Sequence, residues 1–160
     1  MGMYTELNIS VDIKADINTL KVLKFMLGTG GDISEFVLPD HILFKISNRW
    51  RFMLTSDSFS FPHTADSSLR NKVTWEDDSD KPIKERTLNV RCDFKNYANE
   101  LEQFLDWIYP FTTTRGFIGC MRYEEDRNPK LIYFAEDGIH FIPTDNLVNA
   151  FLEGDKNETY

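Results

Sequence analysis

The residues of this chain that could do chemistry are few and scattered. Asp12 and Asp93 occupy matching places in two similar segments, Leu7-Asn8-Ile9-Ser10-Val11-Asp12 and Leu88-Asn89-Val90-Arg91-Cys92-Asp93. Two carboxylates brought together can share a proton and do acid–base work, as in a small hydrolase. Lys14 and Lys95 recur beside them on the same strand face, which favours plain surface ion pairs. The other chemistry-bearing set is cationic: Arg49, Arg51, Arg91 and Arg122, with Trp50, Tyr123 and Tyr133 interleaved. Arginine beside aromatic rings suits an anion, a stacked base or the anchor of a protein interface.

Recognised catalytic and ligand motifs are missing. There is no phosphate-binding glycine loop, no nucleophile elbow and no Cys-x-x-Cys. Gly28-Thr29-Gly30-Gly31 follows an apolar helical stripe, so it reads as a helix stop and not as an anion cradle. His41, His63 and His140 lie far apart, with only His63/Asp66 and His140/Asp137 as local pairs, which does not make a metal site. The acidic run Glu76-Asp77-Asp78-Ser79-Asp80 has no glycine or terminal glutamate where a calcium loop needs them. Cys92 and Cys120 read as small apolar residues in strands, with nothing requiring a bridge between them. The residues therefore imply no metal and no cofactor, and offer no catalytic group beyond the alternative of Asp12 with Asp93.

The elements that must position these side chains follow from periodicity. Glu6 to Lys14 alternates apolar and polar, the signature of a half-buried strand. Asp16 then offers an N-cap to a helix carrying Ile17, Leu20, Leu23 and Leu27, ended by Gly28. The runs His41–Ile46 and Trp50–Thr55, split by Ser47-Asn48-Arg49, predict a hairpin, with a third short strand over Ser58–Phe61. The pattern then restarts. Thr87–Lys95 alternates, Asn96 offers a cap, and Leu101, Phe104, Leu105 and Ile108 make a helical stripe. Strands are predicted over Gly116–Tyr123 and Lys130–Ala135, and Asp137-Gly138 marks a tight turn into Ile139–Ile142. Thr144 caps a last short helix carrying Leu147, Val148, Phe151 and Leu152.

The restart holds in its polar residues as well as its pattern. Asn8, Asp12 and Lys14 recur 81 residues later as Asn89, Asp93 and Lys95, and Asp57 and Phe61 recur 80 later as Asp137 and Phe141. Apolar alternation alone does not produce such identities. The expectation is an α+β fold made by tandem duplication of a β-α-β-β unit, with antiparallel sheet and two main helices on one face. Two ferredoxin-like lobes, about 4–62 and 86–143, would be related by a pseudo-twofold. A polar connector, 63–85, joins them, and a C-terminal helix, 144–153, closes a single domain.

The strings Leu38-Pro39-Asp40-His41, Arg49-Trp50-Arg51-Phe52-Met53-Leu54 and Leu101-Glu102-Gln103-Phe104-Leu105-Asp106-Trp107 are similar to those of a family of small uncharacterised bacterial and phage proteins. So are Arg122-Tyr123-Glu124-Glu125 and Leu131-Ile132-Tyr133-Phe134. The resemblance covers most of the chain. It implies a cytoplasmic or phage-related setting and carries over no catalytic or binding residue.

Composition bounds the function. With 160 residues, 41% hydrophobic and 14% aromatic, the chain can bury a full core without disulfides or metals. A net charge of −8 repels phosphate backbones at long range and argues against generic nucleic-acid binding. No apolar run reaches the ~18 residues of a membrane span, and the first residues lack the pattern of a secretion signal. The reading that follows is a cytoplasmic, non-catalytic protein that binds another protein, with Arg49, Arg51, Arg91 and Arg122 as anchors. Two alternatives remain: nucleotide or nucleic-acid binding on the polar sheet face, and hydrolysis by Asp12 and Asp93.

Overall fold

A computed structural model describes residues 3–72 and 84–145. The chain is α+β, with one six-stranded antiparallel sheet. Strand β1 (Tyr4–Ile13) buries Thr5, Leu7, Ile9, Val11 and Ile13 and turns Asn8 and Ser10 outward, as its alternation dictates. Helix α1 (Ile17–Met26) follows, and the Asp16 carboxylate accepts the Thr19 N–H at 2.7 Å as its N-cap. Gly28, at φ +68°, ends it: the Gly28 N–H donates to Phe25 O and the Thr29 N–H to Lys24 O, a Schellman closure.

The second half matches its pattern closely. Strand β3 (Arg86–Lys95) is followed by α3 (Glu100–Ile108), β4 (Gly116–Tyr123), β5 (Lys130–Ala135) and β6 (Gly138–Pro143). Asn96 does cap α3, but from four residues before it. Its Oδ1 accepts the Leu101 N–H at 2.9 Å while the chain turns through Asn99 at φ +58°.

The first half departs from expectation between α1 and β3. His41–Ile46 and Trp50–Thr55 are not a hairpin. The first holds the short helix α2 (Leu43–Ile46), and Arg49–Thr55 forms a 3-10 helix. Short apolar runs fit helix and strand alike, and Trp50, Met53 and Leu54 also satisfy helical spacing. Tertiary context decides: β3 and β4 already occupy both edges of β1. The segment instead covers the helices, with Phe44 against Trp50 and Trp107 at 4.9 and 5.0 Å. Ser58–Phe61 is likewise irregular, so the match of Asp57 and Phe61 to Asp137 and Phe141 pairs a loop with the β5–β6 turn and strand. The connector supplies an unforeseen edge strand, β2 (Ser68–Asn71), paired with β3. The acidic run of the connector, together with nearly all of the expected C-terminal helix, lies outside the described residues.

The strand order is β2-β3-β1-β4-β5-β6 in one continuous sheet. The inner faces of β1 and β3 share a single core with Val22, Leu23 and Met26 of α1 and Leu101, Phe104 and Leu105 of α3. Both main helices thus cover the same face. In the β1–β3 ladder, Ile9 lies directly opposite Val90. Among the described residues no helix is long and apolar enough to cross a membrane.

Candidate functional site

The face of the sheet turned away from α1 and α3 carries a groove of about 490 Å³. Its floor is Asn8 and Ser10 of β1 and Asn89 of β3, neighbours in the ladder. Ser68 and Arg70 of β2 and Arg91 of β3 form one side. Phe117, Gly119 and Cys120 of β4 form the other. Pairing explains the placement. Ser68 lies opposite Asn89 and Arg70 opposite Thr87, so period two puts Ser68, Arg70, Asn89 and Arg91 on one face.

The β4 side is shaped by a bulge. Register shifts between Phe117 and Gly119, and this re-aims the chain beside the groove. Gly119 has φ +153°, and a Cβ there would stand 2.0 Å from Asn8 O and 2.7 Å from Ile9 Cα. Only glycine allows β4 to approach β1 this closely. Phe117 is left 56% exposed, with its ring 5.6 Å from that of Tyr133.

The four arginines singled out from sequence separate into different roles. Arg49 is a structural tie. It bonds Glu100 Oε1 at 2.7 Å and also the Lys95 carbonyl, and it stacks on Phe94 and Tyr97 at 4.5 and 5.1 Å. Arg51 lies over Trp50 within the same 3-10 helix, away from the sheet face, and its buried Nε has no partner among the described residues. Arg122 is on the open face but stacks on the buried Phe61 at 5.0 Å and reaches Asp126 O at 3.5 Å. Only Arg91 lies in the groove with an exposed side chain and no acceptor among the described residues. Arg70 shares that condition and went unforeseen, because its strand lies inside a stretch whose polar composition reads as linker. Its signal was the short alternation Ser68-Leu69-Arg70.

Asp12 and Asp93 are not brought together. Asp12 lies opposite Thr87 and Asp93 opposite Glu6, six residues apart along the ladder or roughly 20 Å. That exceeds the separations at which two carboxylates cooperate. Asp12 is held by Lys72 Nζ and Thr87 Oγ1, both at 2.8 Å. Partial burial raises its pKa, but these hydrogen bonds and the Lys72 charge outweigh it and keep the carboxyl below its ordinary range. Its partner is Lys72, not Lys14.

Asp93 is 2% exposed, closed over by the segment following the 3-10 helix, whose Ser56 O accepts the Asp93 N–H at 3.1 Å. Its Oδ1 has no partner among the described residues. Burial pushes its pKa up; hydrogen bonds from Ser58 oppose this, and the charges of Asp57 and Glu124 add to the rise. A raised folded pKa favours folding fully below the unfolded value, near 3.8. The contribution fades as pH rises through the higher folded value. Asp93→Asn is therefore expected to match or exceed the parent in stability at pH 7, by about 1 kcal/mol. It should also lose the part of the decline between acid and neutral pH that Asp93 causes. Urea unfolding of both proteins across that range checks it, and a large loss of stability on substitution contradicts it.

Cys92 and Cys120 are free thiols on opposite faces of the sheet. Cys92 lies opposite the buried Leu7, and Cys120 opposite the exposed Asn8. With β1 between them, they do not meet the geometry of a disulfide. Burial raises both thiol pKa values, so neither is an activated nucleophile. His41 bonds Asp106 at 2.8 Å and His140 bonds Asp137 at 2.7 Å, each a surface pair. Among the described residues no three His, Cys, Asp or Glu side chains converge to hold a metal.

No protein-family model matches the chain, and no curated protein or solved structure is significantly similar to it.

Proposed function

We propose that the protein is a non-catalytic binding protein and that the open sheet face is its working surface. The observation that carries this reading is the pair Arg70 and Arg91. Both are exposed on that face, and neither donates to an acceptor among the described residues of a chain with more acids than bases. An unpaired guanidinium keeps its five donors for a partner. The helical face is spent on the core, whereas the side chains of Asn8, Ser10, Ser68 and Asn89 have no hydrogen-bond partner among the described residues and stand beside the arginines. The protein partner expected from sequence, with its phage or host setting, is one occupant of this surface; it would present acidic or phosphorylated groups.

The charge reversal Arg91→Glu is expected to abolish retention of the partner from an extract of the native host. Arg127→Glu, in the exposed β4–β5 turn, should leave it intact. Equal retention by both variants would refute the assignment of this face.

We further infer that β1-α1 and β3-α3 descend from one duplicated segment, and that the four strands β2-β3-β1-β4 form a ferredoxin-like arrangement. Ile9 and Val90 are both ladder partners and 81 residues apart, the same offset as Asn8 to Asn89 and Asp12 to Asp93. A pseudo-twofold through that pair exchanges the two strands residue for residue. The connectivity β1-α1-β2 and β3-α3-β4 fits a split β-α-β pair. The repeating unit under this reading is β-α-β, with β5 and β6 added to one side.

A further inference from the structure

Resting on the assignment of the open face as the binding surface, we propose that its groove takes a mononucleotide, with the phosphate held by Arg70 and Arg91 and the base laid on Phe117. Three features combine to specify this chemistry. The first is charge. Arg70 and Arg91 stand at β3 positions four residues apart, counting Arg70 by its partner Thr87, so their backbones are roughly 14 Å apart and their long side chains can close on one anion between them. Guanidinium forks match phosphate oxygens in geometry as well as charge.

The second is the opposite wall. Phe117 is a half-exposed ring on a strand face, two strands or roughly 10 Å across from β3. The bulge at Gly119 and the contact with Tyr133 hold it there. A fixed, solvent-facing aromatic next to cations stacks a planar ring. The third is the floor. Asn8, Ser10 and Asn89 offer amide and hydroxyl groups to the edges of a base or sugar, and Asp66 at the margin offers an acceptor to a ribose hydroxyl.

Size and charge select one nucleotide over a strand. A volume of about 490 Å³ lies in the range of small-molecule sites. Two cations neutralise one phosphate group; a polynucleotide needs a run of them and would meet the acidic remainder of the chain. At physiological salt the Debye length is about 8 Å, so most of that remote acidity is screened for a ligand confined to the groove.

The test is NMR titration of the whole protein with uridine and adenosine monophosphates, the parent nucleosides, inorganic phosphate and an eight-residue oligothymidylate. Saturable shifts at Asn8, Asn89 and Gly119 with the monophosphates are expected. Arg70→Ala and Arg91→Ala should each weaken binding about tenfold, the loss of one charge-assisted contact. Phe117→Ala should weaken the monophosphates and leave phosphate unchanged. All three side chains are exposed, so the variants fold, and unchanged melting temperatures verify this. Nucleosides binding as tightly as monophosphates, oligonucleotide binding without mononucleotide binding, or no shift in the groove overturns the proposal. If nucleotides fail but Arg91→Glu still abolishes partner retention, the face stands as a binding surface for something else.

Discussion

Gly119→Ala is expected to destabilise the protein by at least about 3 kcal/mol, a large fraction of the roughly 5–15 kcal/mol that is ordinary for a domain. The reason is backbone, not side chain. A Cβ at 119 would lie 2.0 Å from Asn8 O and 2.7 Å from Ile9 Cα, and neither strand can yield without breaking the β1–β4 ladder. The positive φ of 153° adds strain for any residue with a Cβ. Gly30→Ala is the control: that glycine has a similar φ of 147°, yet nothing lies within 4 Å of its added Cβ. Thermal and urea unfolding of the two variants should therefore diverge. Similar losses in both would mean that the close approach of β4 to β1 does not govern stability.

The second large effect concerns a residue that sequence offered as a binding anchor. Arg49→Met is expected to cost about 3–5 kcal/mol, because it strands the Glu100 carboxylate, whose side chain is 1% exposed, in the interior. Glu100 retains one other hydrogen bond, from the Ala98 N–H at 2.9 Å, which does not neutralise its charge. Adding Glu100→Gln to Arg49→Met removes the buried charge and should recover a substantial part of the loss. A double-mutant cycle measured by urea unfolding gives the coupling directly. An Arg49→Met protein as stable as its parent would return Arg49 to the list of surface groups available to a partner.

These two residues also show where sequence could be read and where it could not. Strands β1 and β3 and helices α1 and α3 were legible because each follows its period closely, and β4, β5 and β6 because their apolar runs are bounded by turn residues such as Asp137-Gly138. The segment from His41 to Phe61 was not. Its apolar runs fit two periods, and the decision belonged to a sheet whose edges were already taken. Strand β2 was hidden by its brevity and by the polar company it keeps.

The site was only partly legible for the same physical reason. Alternation identified Asn8, Ser10, Asn89 and Arg91 as one face of the strands, which is a local property. Which arginine has a partner is not local. Arg49 is claimed by Glu100, 51 residues away, and Arg122 by the ring of Phe61. Asp12 is claimed by Lys72 in preference to its sequence neighbour Lys14. Nothing local marks Phe117 as outward-facing; the bulge decides it.

The position of β1 at the middle of the sheet has a consequence for how the protein is made. This strand precedes every other described element, yet its partners are residues 86–95 and 119–123. At about 5–20 residues per second, a chain leaving the ribosome holds a finished β1 with both edges unsatisfied for roughly 4–16 s, until β3 has been made, and with one edge open for about 1–6 s more, until β4 follows. Its four apolar residues Leu7, Ile9, Val11 and Ile13 alternate with polar ones through that interval, which keeps the waiting strand less adhesive than a continuous apolar run. The residues that give the folded protein an open polar face thus also serve the nascent chain, as its protection against pairing with the wrong strand.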